Sequence, residues 1–187
     1  GENTDISKNA IIEGNVWIEE GVQVYEGAVI RGPCYIGRGS KIGNDTLIRN
    51  HSSIGNNCLI GYSCEIKNSI IGDECWLHKN YVGDSIIGNR CVLGAGTITA
   101  NLRFDKRTIV MKIRKKEKEE HVDTGRVKMG AIIGDNCRVG INSSIMPGVK
   151  IGPNSIVGPN VCLDEDLEPN KTIRIDKKSY IIKQNKL

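Results

Sequence analysis

Aliphatic residues recur every six positions through the first third of the chain: Ile12, Ile18, Val24, Ile30, Ile36, Ile42, Ile48, Ile54, Ile60 and Ile66. The residue two before each is small. Residues two apart in a strand face the same side, so Val16-Trp17-Ile18 and Cys34-Tyr35-Ile36 read as in, out, in. A three-residue turn such as Glu19-Glu20-Gly21 then follows. Steps of five or six carry the pattern on through Ile71, Leu77, Val82, Ile87, Leu93 and Thr99. It breaks there and resumes at Ile133, Val139, Ile145, Ile151, Val157 and Leu163. Three such strands close a triangular coil of about eighteen residues. The periodicity therefore predicts an all-β chain, a parallel β-helix of hexapeptide repeats with roughly seven coils stacked about 4.8 Å apart.

This pattern divides the single domain into a repeat body over about 10–102 and 128–164, an insertion over 103–127 and a C-terminal cap over 165–187. The stretch from Arg103 to Lys128 holds ten Lys/Arg and five Asp/Glu, a net of +5, which leaves the rest of the chain at −1. Thr108 to Ile113 is apolar or β-branched except at Lys112, and Lys115 to Glu120 reads as an exposed turn. The insertion thus reads as a projecting hairpin, either simply solvated or serving as a lid or as an attractive field for anions. With Phe104 as its one aromatic and acidic residues mixed through its tip, it is a poor nucleic-acid surface. No run of eighteen apolar residues and no signal-peptide pattern occurs, so the reading is a cytoplasmic protein outside the membrane.

Six of the seven cysteines, Cys34, Cys58, Cys64, Cys75, Cys91 and Cys137, sit at the small inward position, where they act as small hydrophobes. No Cys-x-x-Cys pair has zinc spacing, and His51, His78 and His121 are scattered, so neither disulfides nor a metal site is expected. On one face, started by Ile48, Ile66, Val82 and Thr99 in successive coils, polar residues gather. Arg49 and Lys67, eighteen apart, stack as two cations suited to a phosphate dianion. Tyr81 points outward, Asn101 lies just past Thr99, and His78 stands at the corner before Tyr81. Gly94-Ala95-Gly96 lies one coil beyond His78, and Ile141 and Pro159 share the offset of Ala95.

The strings His78-Lys79-Asn80-Tyr81-Val82-Gly83-Asp84 and Gly94-Ala95-Gly96-Thr97-Ile98-Thr99-Ala100-Asn101 resemble the C-terminal acetyltransferase domain of bifunctional sugar-1-phosphate nucleotidylyltransferase/amino-sugar-1-phosphate acetyltransferases. The resemblance implies a left-handed coil, against the usual right-handed crossover, and a homotrimer with sites between subunits. It further implies transfer of acetyl from acetyl-CoA, as co-substrate and without a metal, to the amine of glucosamine 1-phosphate or its galactosamine epimer. His78 would be the general base, imidazole titrating near neutrality, and the Ala95 amide would face the thioester and its oxyanion. Arg49, Lys67, Tyr81, Asn101 and Arg107 would bind the sugar phosphate, Arg107 with the charge kept and the residue type changed. Ala95, Ile141 and Pro159 would line the coenzyme, the last two with larger side chains than the family uses. The nucleotidylyltransferase half has no counterpart here, which suggests an excised C-terminal domain with Gly1 as a cloning remnant.

Taken singly, each of these residues has an ordinary alternative: a solvated turn histidine for His78, surface charges for Arg49 and Lys67, and surface residues for His51 and His121. Trp17 and Trp76 face outward, as isolated surface aromatics or, with Tyr35, as an oligomer contact. The competing function is a non-catalytic oligomerisation or regulatory β-helix, which needs no His78, Tyr81 and Asn101 on one side. A hexapeptide-repeat carbonic anhydrase would need three histidines around zinc, and His121 falls in the insertion.

Overall fold

In the computed structural model, which describes residues 1–115 and 118–176, the chain winds into a left-handed triangular prism. Face 1 has nine parallel strands from Asp5–Ile6 to Thr172–Ile173, face 2 has eight from Ile11–Glu13 to Cys162–Leu163, and face 3 has seven from Val16–Ile18 to Lys150–Ile151. The coils therefore number about nine, more than the seven the periodicity suggests. The extra turns lie at the ends, where repeat residues are least regular. Asp5–Ile6 pairs with Gln23–Val24, Leu167 bridges to Ile151, and Thr172–Ile173 pairs with Ile156–Val157.

Every sixth-position aliphatic from Val24 to Leu93 is buried, and so are those from Ile133 to Leu163. Each fully buried Ile or Leu withdraws apolar area worth about 1.5–3 kcal/mol, and in-register stacking joins these contributions into one core along the axis. Corners are held by residues with positive φ, among them Asn57, Lys79, Gly96, Asn142 and Asn160. Asn and Gly tolerate that backbone region best.

The inward small residues also bond the coils. Cys58, Cys75, Cys91 and Cys137 form one column, each Sγ donating to a glycine carbonyl of the next coil: Gly72, Gly88, Gly134 and Gly152, at 3.0–3.2 Å. Ser40 opens the same column with a bond to Gly55 O at 2.7 Å. All seven cysteines are free thiols, and Cys162 alone is exposed.

Thr99, the one rung residue that is not aliphatic, stands where the chain leaves the coil. Its buried hydroxyl accepts hydrogen bonds from Gly83 N (3.0 Å) and Ser85 Oγ (2.9 Å). The insertion exits here, at the corner between faces 2 and 3. It makes a two-stranded antiparallel hairpin, Val110–Lys115 with Lys118–Asp123. The tip residues Lys116 and Glu117 and the last part of the cap, 177–187, lie outside the described residues. The hairpin's root is docked, not solvated: Ile109 and Met111 are buried over Gly148, and the Lys150 ammonium meets both Lys112 O and Asp166.

Candidate active site

Face 2 and its two edges carry the polar cluster. Ile48, Ile66, Val82 and Thr99 align in register, as do Arg49, Lys67 and Gly83 beside them. At the corner between faces 1 and 2, Leu77 pairs with Leu93, His78 N donates to Leu93 O (3.2 Å), and Gly96 N donates to Lys79 O (3.0 Å). These bonds set the His78-Lys79 turn directly below Gly94-Ala95-Gly96. His78 and Ala95 are both exposed there.

Asn80 ties the two turns together. Nearly fully buried, its amide donates to Gly94 O (2.8 Å) and Thr97 O (3.1 Å), on either side of Ala95-Gly96, while its Oδ1 has no partner among the described residues. In the sequence Asn80 stands out only as part of the string from His78 to Asp84. Its signal was a polar residue at an inward position otherwise held by Cys64 and Thr46.

Along the same corner Asn142 N donates to Ala95 O and Asn160 N to Ile141 O, both at 2.9 Å, so Ala95, Ile141 and Pro159 stack in one line parallel to the prism axis. Ile141 is about half exposed. The backbone amide of Ala95 has no partner among the described residues and can donate to an oxygen brought against this corner.

At the opposite edge of face 2, the stacked cations come paired with carboxylates, which eighteen-residue spacing does not reveal. Arg49 holds Glu65 through Nε (3.0 Å) and Nη2 (2.7 Å), and Lys67 holds Asp84 at 2.7 Å with both side chains largely buried. Asp84 is a hub: it also accepts from Asn68 Nδ2 (2.7 Å) and Asn101 Nδ2 (2.5 Å), and Asn101 Nδ2 lies 3.2 Å from the Tyr81 hydroxyl. Burial pushes its pKa up, but the Lys67 ammonium and the two amides outweigh that and hold the carboxyl below its ordinary value. Lys67, Tyr81 and Asn101 thus form one network through Asp84.

Arg107 lies outside this network. It is exposed on the loop before the hairpin, its N–H donating to Asp105 Oδ1. The histidines also stay apart: His51 at the edge between faces 2 and 3, His78 at the other corner, His121 on the hairpin 3.7 Å from Glu119. Among the described residues no group of three or more His, Cys, Asp or Glu is arranged to hold a metal ion.

Fold and repeat together define a hexapeptide-repeat protein. Residues 130–164 match the bacterial transferase hexapeptide family (six repeats) and residues 30–111 the GMPPB C-terminal domain. Most of the hairpin falls between the two matches. Within that class the chain resembles the C-terminal part of the bifunctional sugar-1-phosphate nucleotidylyltransferase/acetyltransferases. It is 51% identical over 110 residues to the "Bifunctional protein GlmU" of Methanococcus maripaludis, covering 58% of this chain and 26% of that protein. It is 40% identical over 104 residues to the "Bifunctional sugar-1-phosphate nucleotidylyltransferase/acetyltransferase" of Sulfurisphaera tokodaii, covering 55% of this chain and 25% of that protein. The chain thus matches about a quarter of these relatives' length. Among solved structures, LpxA, a UDP-N-acetylglucosamine acyltransferase from Bacteroides fragilis, superposes with a TM-score of 0.64 at 20% identity, over 89% of this chain and 67% of that one. That likeness is one of fold.

Proposed function

We propose that the chain transfers acetyl from acetyl-CoA to the amine of an amino-sugar 1-phosphate, glucosamine 1-phosphate or its galactosamine epimer, as the names of its GlmU relatives suggest. The observation that carries this reading is the pair of exposed turns at one corner, His78 below and the unpartnered Ala95 amide above, across face 2 from the Tyr81–Asn101–Asp84–Lys67 network. An imidazole beside an oriented N–H is what attack of an amine on a thioester requires. His78 takes the amine proton as the C–N bond forms, the Ala95 amide receives the oxyanion, and the C–S bond then breaks as the protonated His78 returns its proton to the leaving sulfur, so that coenzyme A departs as the thiol.

Coenzyme A would lie along the line of Ala95, Ile141 and Pro159. The larger side chains at the last two leave backbone contact as the mode of binding. Arg49, Lys67, Tyr81 and Asn101 would hold the sugar phosphate, with Glu65 and Asp84 balancing the cations. Arg107, away from this network, would reach the substrate only through movement of its loop or from another subunit. The working form would be a cytoplasmic homotrimer with sites between subunits.

Measuring thiol release from acetyl-CoA with a panel of amino-sugar phosphates tests the reading. Acetylation of glucosamine 1-phosphate or galactosamine 1-phosphate is expected. Release with neither, at any enzyme concentration that binds coenzyme A, would favour the non-catalytic module.

A further inference from the structure

The N–H at position 95 is a backbone group, so what aims it has to be found in its own peptide. That N–H shares a plane with the Gly94 carbonyl, and a trans peptide holds the two antiparallel. The direction of the Gly94 C=O therefore fixes the direction of the Ala95 N–H. Gly94 O accepts from Asn80 Nδ2 (2.8 Å) and, across the turn, from Thr97 N (3.2 Å). Asn80 is buried, with 3% of its surface exposed. With the carbonyl drawn inward onto it, the Ala95 N–H points out of the corner on which His78 is exposed one coil below. The second hydrogen of the same carboxamide goes to Thr97 O (3.1 Å), so one side chain ties both ends of the Gly94–Thr97 turn.

The column in which Asn80 stands shows what the coil alone asks for. Two residues before the successive rungs of face 2 come Thr46, Cys64, Asn80, Thr97 and Ser143, all buried. Thr46 Oγ1 donates to Gly61 O (2.6 Å), Thr97 Oγ1 to Gly140 O (2.8 Å) and Ser143 Oγ to Gly158 O (2.9 Å). One hydroxyl and one carbonyl thus suffice to join two coils, and at Cys64 the sulfur instead accepts from Asn80 N (3.4 Å). Asn80 alone of the five brings a carboxamide with two donors, and it stands directly under the Ala95 turn. Both of its partners are carbonyl oxygens, which only the NH2 end can face. Its Oδ1 is therefore left without a partner among the described residues, and an unmatched buried acceptor lowers stability. A residue that packing does not require, held against that penalty beside the reacting corner, points to a task in the site.

We propose that Asn80 is a positioning residue of the acetyl transfer: without touching substrate, it aims the Ala95 N–H at the thioester oxygen by holding the Gly94 carbonyl inward. The inference rests on the function proposed above and adds to it the residue that preorganises the oxyanion donor. An oriented amide stabilises developing charge because it need not reorganise as the charge appears. A turn free to rock loses that advantage. Removing an oxyanion donor outright costs about 10²–10³-fold in kcat, so loosening this one should cost about tenfold or more.

The test compares wild type with Asn80→Val, which has no donor, Asn80→Cys, which repeats the residue of the coil below, and Asn80→Thr, which returns one hydroxyl. With glucosamine 1-phosphate or galactosamine 1-phosphate as acceptor, Asn80→Val and Asn80→Cys should lose kcat about tenfold or more. KM for the amino sugar and calorimetric affinity for coenzyme A should stay at wild type, because neither ligand carries the oxygen that the amide receives. Asn80→Thr should recover part of the loss. Thr46→Val, a lost donor two coils below in the same column, should keep wild-type kcat. Asn80→Cys should melt close to wild type; activity that merely tracks melting temperature across the series would assign Asn80 to the structure alone and overturn the proposal. Hydrogen–deuterium exchange reads the anchor without turnover: the Gly96 and Thr97 amides, bonded to Lys79 O and Gly94 O, should exchange faster in Asn80→Val and Asn80→Cys. Wild-type kcat in both variants of a protein that does acetylate overturns the positioning role and keeps the function. If wild type acetylates no amino sugar, the function fails and exchange alone decides the anchor, faster exchange keeping it and unchanged exchange overturning it.

Discussion

The step from Leu77 to Val82 is one residue shorter than the step from Leu93 to Thr99, and the corner it tightens carries His78 beneath the Ala95 turn. His78→Ala should reduce turnover at saturating substrates about 10²–10⁴-fold while keeping coenzyme A affinity and melting temperature. Wild-type turnover in that variant would end the catalytic assignment. Asp84 makes a different kind of claim. Removing it strands the Lys67 ammonium and the amides of Asn68 and Asn101, so Asp84→Ala should cost about 3 kcal/mol, measured by denaturant unfolding. Because its folded pKa lies below the ordinary 3.8, its contribution is fully present above that value and is lost as pH falls below it. Acid titration of stability should accordingly be shallower in Asp84→Asn than in wild type below about pH 4. Identical profiles would mean that the hub contributes nothing through its charge.

Among the elements, the hairpin is the part whose placement the repeat does not dictate. It docks through Ile109 and Met111 onto Gly148, where an added Cβ would come within 2.6 Å of Ile109 Cγ2 and where φ is +79°. Gly148→Val should therefore lift the hairpin root, seen as faster proteolysis between Arg103 and Lys128, while the prism's circular dichroism persists. Protection equal to wild type would show that the root is held by other contacts. The cysteine column makes the opposite prediction, that nothing moves. A thiol reagent should titrate one cysteine, Cys162, in the native protein and all seven after denaturation, because the other six are buried. Rapid native reaction of more than one would mean that the coils open.

For the whole molecule, the outward aromatics do not share one surface. Trp17 and Tyr35 lie in register on face 3, followed by Ser53, Ile70, Ile86 and Ile132, whereas Trp76 lies on face 1. The apolar stripe of face 3 gives the proposed trimer a specific contact, with Trp17 66% exposed in the single chain. Sedimentation equilibrium should give three times the 20.5 kDa chain mass, and Tyr35→Lys should weaken the assembly. A monomer at micromolar concentration would remove both the trimer and any site shared between subunits.

Sequence alone determined the coil, because burial of one residue in six and a small residue two before it can be satisfied only by stacked short strands. Register followed from the same spacing, so the alignment of Arg49 with Lys67 and of His78 below Ala95 could be read before any coordinates. Only the tertiary structure decided how those charges pair. Glu65 and Asp84 are ordinary polar residues in a list, and it takes side-chain direction across adjacent coils to bring them onto Arg49 and Lys67. The insertion was legible as a hairpin, but not where it lies, for a related reason. Its residues follow no repeat, so the place of Arg107 away from Asp84, and the return of the chain beside it where Gly130 N donates to Asp84 O (2.8 Å), are set by long-range backbone bonds.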